Sequence, residues 1–151
     1  MIALRELTML ISIPQRHLKY IQMLVQAKFV ANEERAKTWA FEEGLEDVES
    51  DLSIGATEPD MELSVLRGKQ VTIEVTDKPG YHHRLDVISK GYRVAPAKAA
   101  SIVFLLGLFL QYLLLKDSTA YQEDSRFRKM VDRMPHDVCF DLEDMQEGTE
   151  D

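Results

Sequence analysis

Residues 99–115 read AASIVFLLGLFLQYLLL, seventeen positions without a charge, bracketed by Lys98 and Lys116. Fourteen of the seventeen are apolar, so no amphipathic stripe accounts for the run. A helix built from it must be wrapped on every side by protein or by lipid. At 1.5 Å per residue it covers about 25 Å, slightly less than the roughly 30 Å hydrocarbon core, and the flanking lysines can extend to the interface. Within it Ala100, Gly107 and Gln111 fall within about 40° of one another at 100° per residue, a weakly polar stripe suited to close contact with another helix. Two readings follow: a membrane helix, or a helix buried in a soluble core or at a dimer interface. Covering it within a 151-residue monomer takes many apolar partners, which an oligomer would supply. Charge does not orient a span, since Arg84, Lys90, Arg93 and Lys98 precede the run and Lys116, Arg126, Arg128, Lys129 and Arg133 follow it.

Around this run the charge is segregated. The formal net charge is -8, yet the stretch from Phe41 to Leu66 holds nine acids and Asp137 to Asp151 holds seven, neither with any Lys or Arg. The remaining chain carries ten acids against all eighteen Lys and Arg, a balance of +8. With 45% hydrophobic and 29% charged residues, the composition is that of a globular chain with a core. The lone Cys139 excludes an intramolecular disulfide. Arg5 and Glu6 interrupt what would be the apolar region of a secretory signal, so none is expected.

Upstream, Thr8 to Ile13 reads as a short buried segment ahead of a helix that Ser12 caps and Pro14 opens, with Leu18, Ile21, Val25 and Phe29 at helical spacing. Asn32 followed by Glu33 and Glu34 makes a second helix start. Residues 14–41 therefore form one kinked helix or a pair meeting near Asn32, with Gly44 placed to end it. Glu46 to Asp60 loses the apolar period and reads as a loop. Alternation at Met61, Leu63 and Val65, then at Val71, Ile73 and Val75, predicts a hairpin turned at Gly68-Lys69. Asp77-Lys78-Pro79-Gly80 is a further turn. Leu85 and Val87 continue as a third strand, and Tyr92 and Val94 as a short fourth. Pro96 opens the apolar helix, and Asp117 or Ser118 closes it. Thr119 and Gln122 form a capping box for a last helix, which carries Tyr121, Phe127, Val131 and Met134 on one face, Arg126, Arg128, Lys129 and Arg133 on the other, and stops at Pro135.

The expected class is α+β, with an N-terminal helical part, an antiparallel three- to four-stranded meander, a long apolar helix, a short C-terminal amphipathic helix and an acidic tail. The organisation is a helix-plus-meander domain over 1–95, the apolar helix over 96–118, the amphipathic helix over 119–135 and a disordered acidic tail over 136–151.

Catalytic chemistry has little to stand on. The seven glycines are never closer than eleven residues apart, which excludes a dinucleotide fingerprint and a P-loop. His82 and His83 would point to opposite faces of a strand. His136 and Cys139, with Asp137 and Asp141 nearby, have metal-ligand spacing but too few soft ligands for a closed zinc site. Neither catalytic nor cofactor nor metal residues are assigned, and no enzyme activity is expected. Expected instead is a non-catalytic assembly or interaction subunit, anchored through the apolar helix in a membrane or an obligate partner. The alternative is a soluble oligomeric binding protein, chaperone-like or inhibitor-like, with that helix at its core or dimer interface. The interaction residues are Ala100, Gly107 and Gln111 on the apolar helix and Arg126, Arg128, Lys129 and Arg133 on the last one. The partners are proteins, in a homo- or hetero-oligomer, and a membrane, rather than nucleic acid. The location is at a membrane, otherwise in the cytoplasm.

Overall fold

The computed structural model describes residues 8–28, 30–59, 61 and 66–133. Strand β1 (Thr8–Pro14) leads through a tight 3-10 turn (Gln15–His17) into α1 (Leu18–Gln26) and α2 (Glu33–Ser53). Strand β2 (Gln70–Thr76) then leads into α3 (Tyr81–Tyr92) and α4 (Pro96–Lys116), followed by α5 (Thr119–Glu123) and α6 (Ser125–Arg133). Helix and sheet are mixed, as the α+β class requires, but the sheet has two strands where a meander of three or four was expected.

The differences have local causes. Thr8–Pro14 is a strand because Met9, Ile11 and Ile13 face inward while Thr8, Leu10 and Ser12 face out. Ser12 is thus a strand residue rather than a helix cap, its Oγ donating to Gln70 Oε1 at 3.1 Å. The expected third strand and Tyr92 of the fourth belong to α3, because Tyr81, Leu85, Ile88 and Tyr92 bury at helical spacing and Val87 stays half exposed, while Val94 lies beyond the helix and in no strand. The turn before it holds, with Gly80 at φ 91° where only glycine is unstrained. The acidic stretch read as a loop is helical as far as Ser53, since Leu45, Val48 and Leu52 keep the apolar period beneath the acids. Residues 62–65 of the expected hairpin lie outside the described residues, and β2 pairs with β1 instead.

Of the two readings near Asn32, the pair is present: Asn32 Oδ1 accepts from Arg35 N at 2.9 Å and starts α2. Pro96 opens α4 at its first turn and Asp117 ends it. The last helix is two, because Asp124 leaves the helical region and its Oδ1 accepts from Arg126 N and Phe127 N to begin α6. Ser118, not Thr119, caps α5, accepting from Tyr121 N at 3.2 Å. Pro135, Met134 and the acidic tail lie outside the described residues.

The chain is built from two strand–helix–helix units in tandem. Strands β1 and β2 pair antiparallel about Ile11 opposite Ile73, with Thr8 against Thr76 and Pro14 against Gln70. A non-glycine residue with positive φ follows the first helix of each unit, Lys28 at 62° one residue past the Ala27 cap of α1 and Arg93 at 58° as the cap of α3. The second helices, α2 and α4, are 21 residues each. At an offset of 63 they share Ala36/Ala99, Phe41/Phe104, Gly44/Gly107, Leu45/Leu108 and Leu52/Leu115.

Their contact, the most extensive between any two elements described, is reciprocal. A Cβ on Gly44 would lie 1.9 Å from Val103 O, and one on Gly107 would lie 1.6 Å from Ala40 O. Shifting 40 and 44 by 63 gives 103 and 107, so each contact is the image of the other. That is the signature of a two-fold axis. Gly44 is therefore a packing glycine inside α2, not its terminus.

Residues of both units join one core, including Ile11, Tyr20, Phe41, Leu45, Ile88, Phe104 and Leu108. Helix α4 is long and apolar enough to cross a membrane, with a mean hydropathy of 1.9, and 72% of that window is buried inside the chain's own fold.

Candidate functional site

The outer face of the β1–β2 ribbon is an exposed surface whose side-chain positions are set by the strand register. Alternation turns Met9, Ile11, Ile13, Ile73 and Val75 toward the helices, leaving Thr8, Leu10 and Ser12 of β1 and Thr72 and Glu74 of β2 outside. In register, Leu10 stands opposite Glu74 and Ser12 opposite Thr72. Leu10 is 65% exposed, an apolar side chain held in water by a strand whose other face is fixed in the core. The ribbon spans about 24 Å at 3.4 Å per residue.

Cations gather at one end of it. Gln15, Arg16, Leu18, Lys19, Gln22 and Lys69 line an open groove of about 560 Å3 that contains no acid. The turn that carries Lys69 is braced: Arg16 Nη1 donates to Arg67 O at 2.6 Å, Gln15 N donates to Lys69 O at 2.8 Å, and Gln70 Nε2 donates to Leu66 O at 2.6 Å. Gly68, at φ 102°, permits that turn. The side chains of Lys19 and Lys69 are exposed and engage no other described residue.

At the other end a groove of about 330 Å3 is lined by Asn32, Glu34, Arg35, Thr38, Thr76 and Lys78. Lys78 donates to Glu42, and Tyr81 Oη donates to the same carboxylate oxygen at 2.8 Å. Burial pushes the Glu42 carboxyl up, but these two hydrogen bonds together with the positive charges of Lys78 and Arg84 outweigh it and hold the group below its ordinary range. Burial and the Glu42 carboxylate together raise the Tyr81 hydroxyl. Arg84, in a fork onto Glu49, is held charged by that hydrogen-bonded pair.

Chemically, the surface presents hydroxyls, one carboxylate and one leucine on a two-stranded ribbon, with ammonium and guanidinium groups beyond it. His82 Nε2 donates to Asp77 Oδ2 at 2.8 Å, and His83 is exposed. Among the described residues, no three His, Cys, Asp or Glu side chains gather as a metal cluster. His136 and Cys139 lie outside them.

No family model, curated protein or solved structure matches this chain.

The interaction residues read from sequence fall into two groups. Ala100, Gly107 and Gln111 lie on α4 and are buried within the chain, Gly107 directly against Ala40. Gln111 is fully buried, and its carboxamide finds no hydrogen-bond partner among the described residues. Arg126, Arg128, Lys129 and Arg133 lie on α6, beside Phe127 and Val131, which enter the core. Arg128 is engaged within the fold, with Nε donating to Tyr121 O at 2.9 Å and Nη2 to Gln122 O, while Arg126 and Lys129 are exposed. The structure does not join the two groups into one site.

The ribbon was missed from sequence, although Thr8–Pro14 and Gln70–Thr76 carry the same alternation. The repeat of F-x-x-G-L at Phe41–Leu45 and Phe104–Leu108 was the available sign that the two belong together.

Proposed function

We propose that the chain binds duplex DNA by laying the β1–β2 ribbon into the major groove. That groove admits a two-stranded ribbon, and base edges there are read by side chains on its outer face. Lys19 and Lys69 hold phosphates at one end, with Arg35 at the other. The observation that carries this reading is the exposed, mainly polar face of a two-stranded antiparallel ribbon backed by helices.

The net charge of -8 opposes DNA at long range, but it is not spread evenly. On α2, Lys37 and Thr38 border β2 beside Ile73 and Thr76, in grooves that Glu33 and Glu34 also line, and Lys37 is ion-paired to Glu34. At 100° per residue Glu43, Glu46 and Asp47 fall on the opposite flank, away from the ribbon. The binding test is fluorescence anisotropy of a labelled random-sequence duplex with the full chain across a salt series. Affinity that falls as salt rises is expected. No binding at low salt defeats the reading.

A second reading, an assembly or interaction subunit without catalytic activity, is favoured by the outer face of α4. Where α2 has Glu46, Asp47, Ser50 and Asp51, the equivalent α4 positions are Phe109, Leu110, Leu113 and Leu114. The last two are 44% and 46% exposed. In both readings α4 is a core helix rather than a bilayer span, a view supported by its backbone contact with α2. Recovery as a defined species without detergent is expected. A strict detergent requirement would return α4 to the membrane and the protein with it.

A further inference from the structure

In the ribbon the strand bounds match at an offset of 62, one less than in the helices, with Ile11 carried onto its partner Ile73, and the outward residues made equivalent in this way differ. Shifting β1 onto β2 by 62 carries Leu10 to Thr72, and the reverse shift carries Glu74 to Ser12. The Leu10–Glu74 pair is therefore the two-fold image of the Ser12–Thr72 pair. One half of the ribbon presents an alkyl group beside a carboxylate, the other two hydroxyls.

These groups are not equally available. Ser12 Oγ already donates to Gln70 Oε1, and Gln70 Nε2 is spent on Leu66 O and Gly68 O. Glu74 and Leu10 are exposed, and the Glu74 carboxylate engages no other described residue. In the major groove a carboxylate accepts from the cytosine N4 amino group and an alkyl side chain meets the thymine methyl, whereas Ser and Thr hydroxyls serve with several bases.

Resting on the DNA reading above, we propose that this protein recognises a non-palindromic DNA site. Glu74 specifies a cytosine and Leu10 a neighbouring thymine in one half, and the Ser12–Thr72 half discriminates weakly. A dimer of identical chains reads a sequence that mirrors its own two-fold symmetry. Here the two halves are covalently one chain with different readers, so nothing imposes that mirror.

The test is selection of bound duplexes from a randomised library by the full chain and by the Glu74→Gln and Leu10→Ala variants, with folding checked by circular dichroism. The wild type is expected to enrich one motif without two-fold symmetry, containing a cytosine preferred on the order of tenfold. Glu74→Gln should abolish that preference and favour adenine, whose N6 and N7 match a carboxamide. Leu10→Ala should relax the neighbouring thymine alone. A palindromic motif, a cytosine preference that survives in Glu74→Gln, or salt-dependent binding with no enriched motif each overturns this inference and leaves DNA binding standing. No binding to any duplex overturns both.

Discussion

A methyl group on Gly107 would sit 1.6 Å from the carbonyl oxygen of Ala40, so the backbones of α4 and α2 touch where they cross. No side-chain movement relieves a clash with a backbone carbonyl. Gly107→Ala, and Gly44→Ala at the equivalent contact with Val103, are expected to cost about 3 kcal/mol each, the upper end of overpacking in a rigid core. Urea denaturation measures it. A loss below about 0.5 kcal/mol, the range of neutral surface changes, would show that the helices do not cross this closely.

Gln111 occupies in α4 the position of Val48 in α2, and both are fully buried. Its carboxamide lacks a partner among the described residues, and an unsatisfied buried amide is destabilising. Gln111→Leu is expected to stabilise by about 1 kcal/mol, read as a higher urea midpoint. A lower midpoint would mean that the amide is bonded.

Glu42 titrates below its ordinary value near 4.5 because the hydrogen bonds from Lys78 and Tyr81, with the charges of Lys78 and Arg84, outweigh its burial. A group whose pKa is depressed on folding stabilises the fold above its unfolded pKa and loses that contribution as pH falls through the folded value. Glu42→Gln should therefore destabilise at pH 7 by about 1 kcal/mol, a modest figure because the pair is partly exposed. The gap to wild type should close in acid. A gap constant with pH would place the loss in packing.

Lys19 and Lys69 flank the ribbon with no acid lining their groove. Replacing both by alanine should weaken duplex binding for all sequences alike and reduce the salt slope by about 2, one for each phosphate that is no longer neutralised. Arg126→Ala with Lys129→Ala on α6 is expected to leave that slope unchanged. The reverse pattern would move the phosphate-binding surface to α6.

Leu113→Ser with Leu114→Ser removes apolar surface that is already about half exposed. Because each side chain is also about half buried, stability should fall by roughly 1 kcal/mol per leucine. Sizing of wild type and variant checks the interaction reading: loss of a larger species supports it, and identical elution argues that this face has no partner copy.

Much of the helical layout was legible because its signals are local. Asn32 with Glu33 and Glu34, Pro96 and Asp117 mark ends that the structure keeps, and the uninterrupted apolar run already demanded a wrapped helix. Two segments differ from the sequence expectation for different reasons. Leu85 and Val87 fit an alternation, but over so few residues periods of 2 and 3.6 share positions, and they lie on a helix. In Glu46 to Asp60, expected as a loop, the density of acids masks an apolar period that Leu45, Val48 and Leu52 keep as far as the end of α2 at Ser53. The ribbon's outer face went unread as a site because its residues, a leucine, hydroxyls and one acid, form no motif.

By itself the sequence determined where charge and apolar surface lie and which segments must be hidden, since burial follows from side-chain chemistry and period. Only the tertiary structure decided what hides them. It paired β1 with a strand some sixty residues away, set α2 as the wrapping of α4, and related the two units by a two-fold axis. Alternation says that a strand has an inner face but not which strand lies beside it. That choice is made by backbone hydrogen bonds between distant segments and by glycines that let two helices touch, and both exist only once the chain has closed on itself.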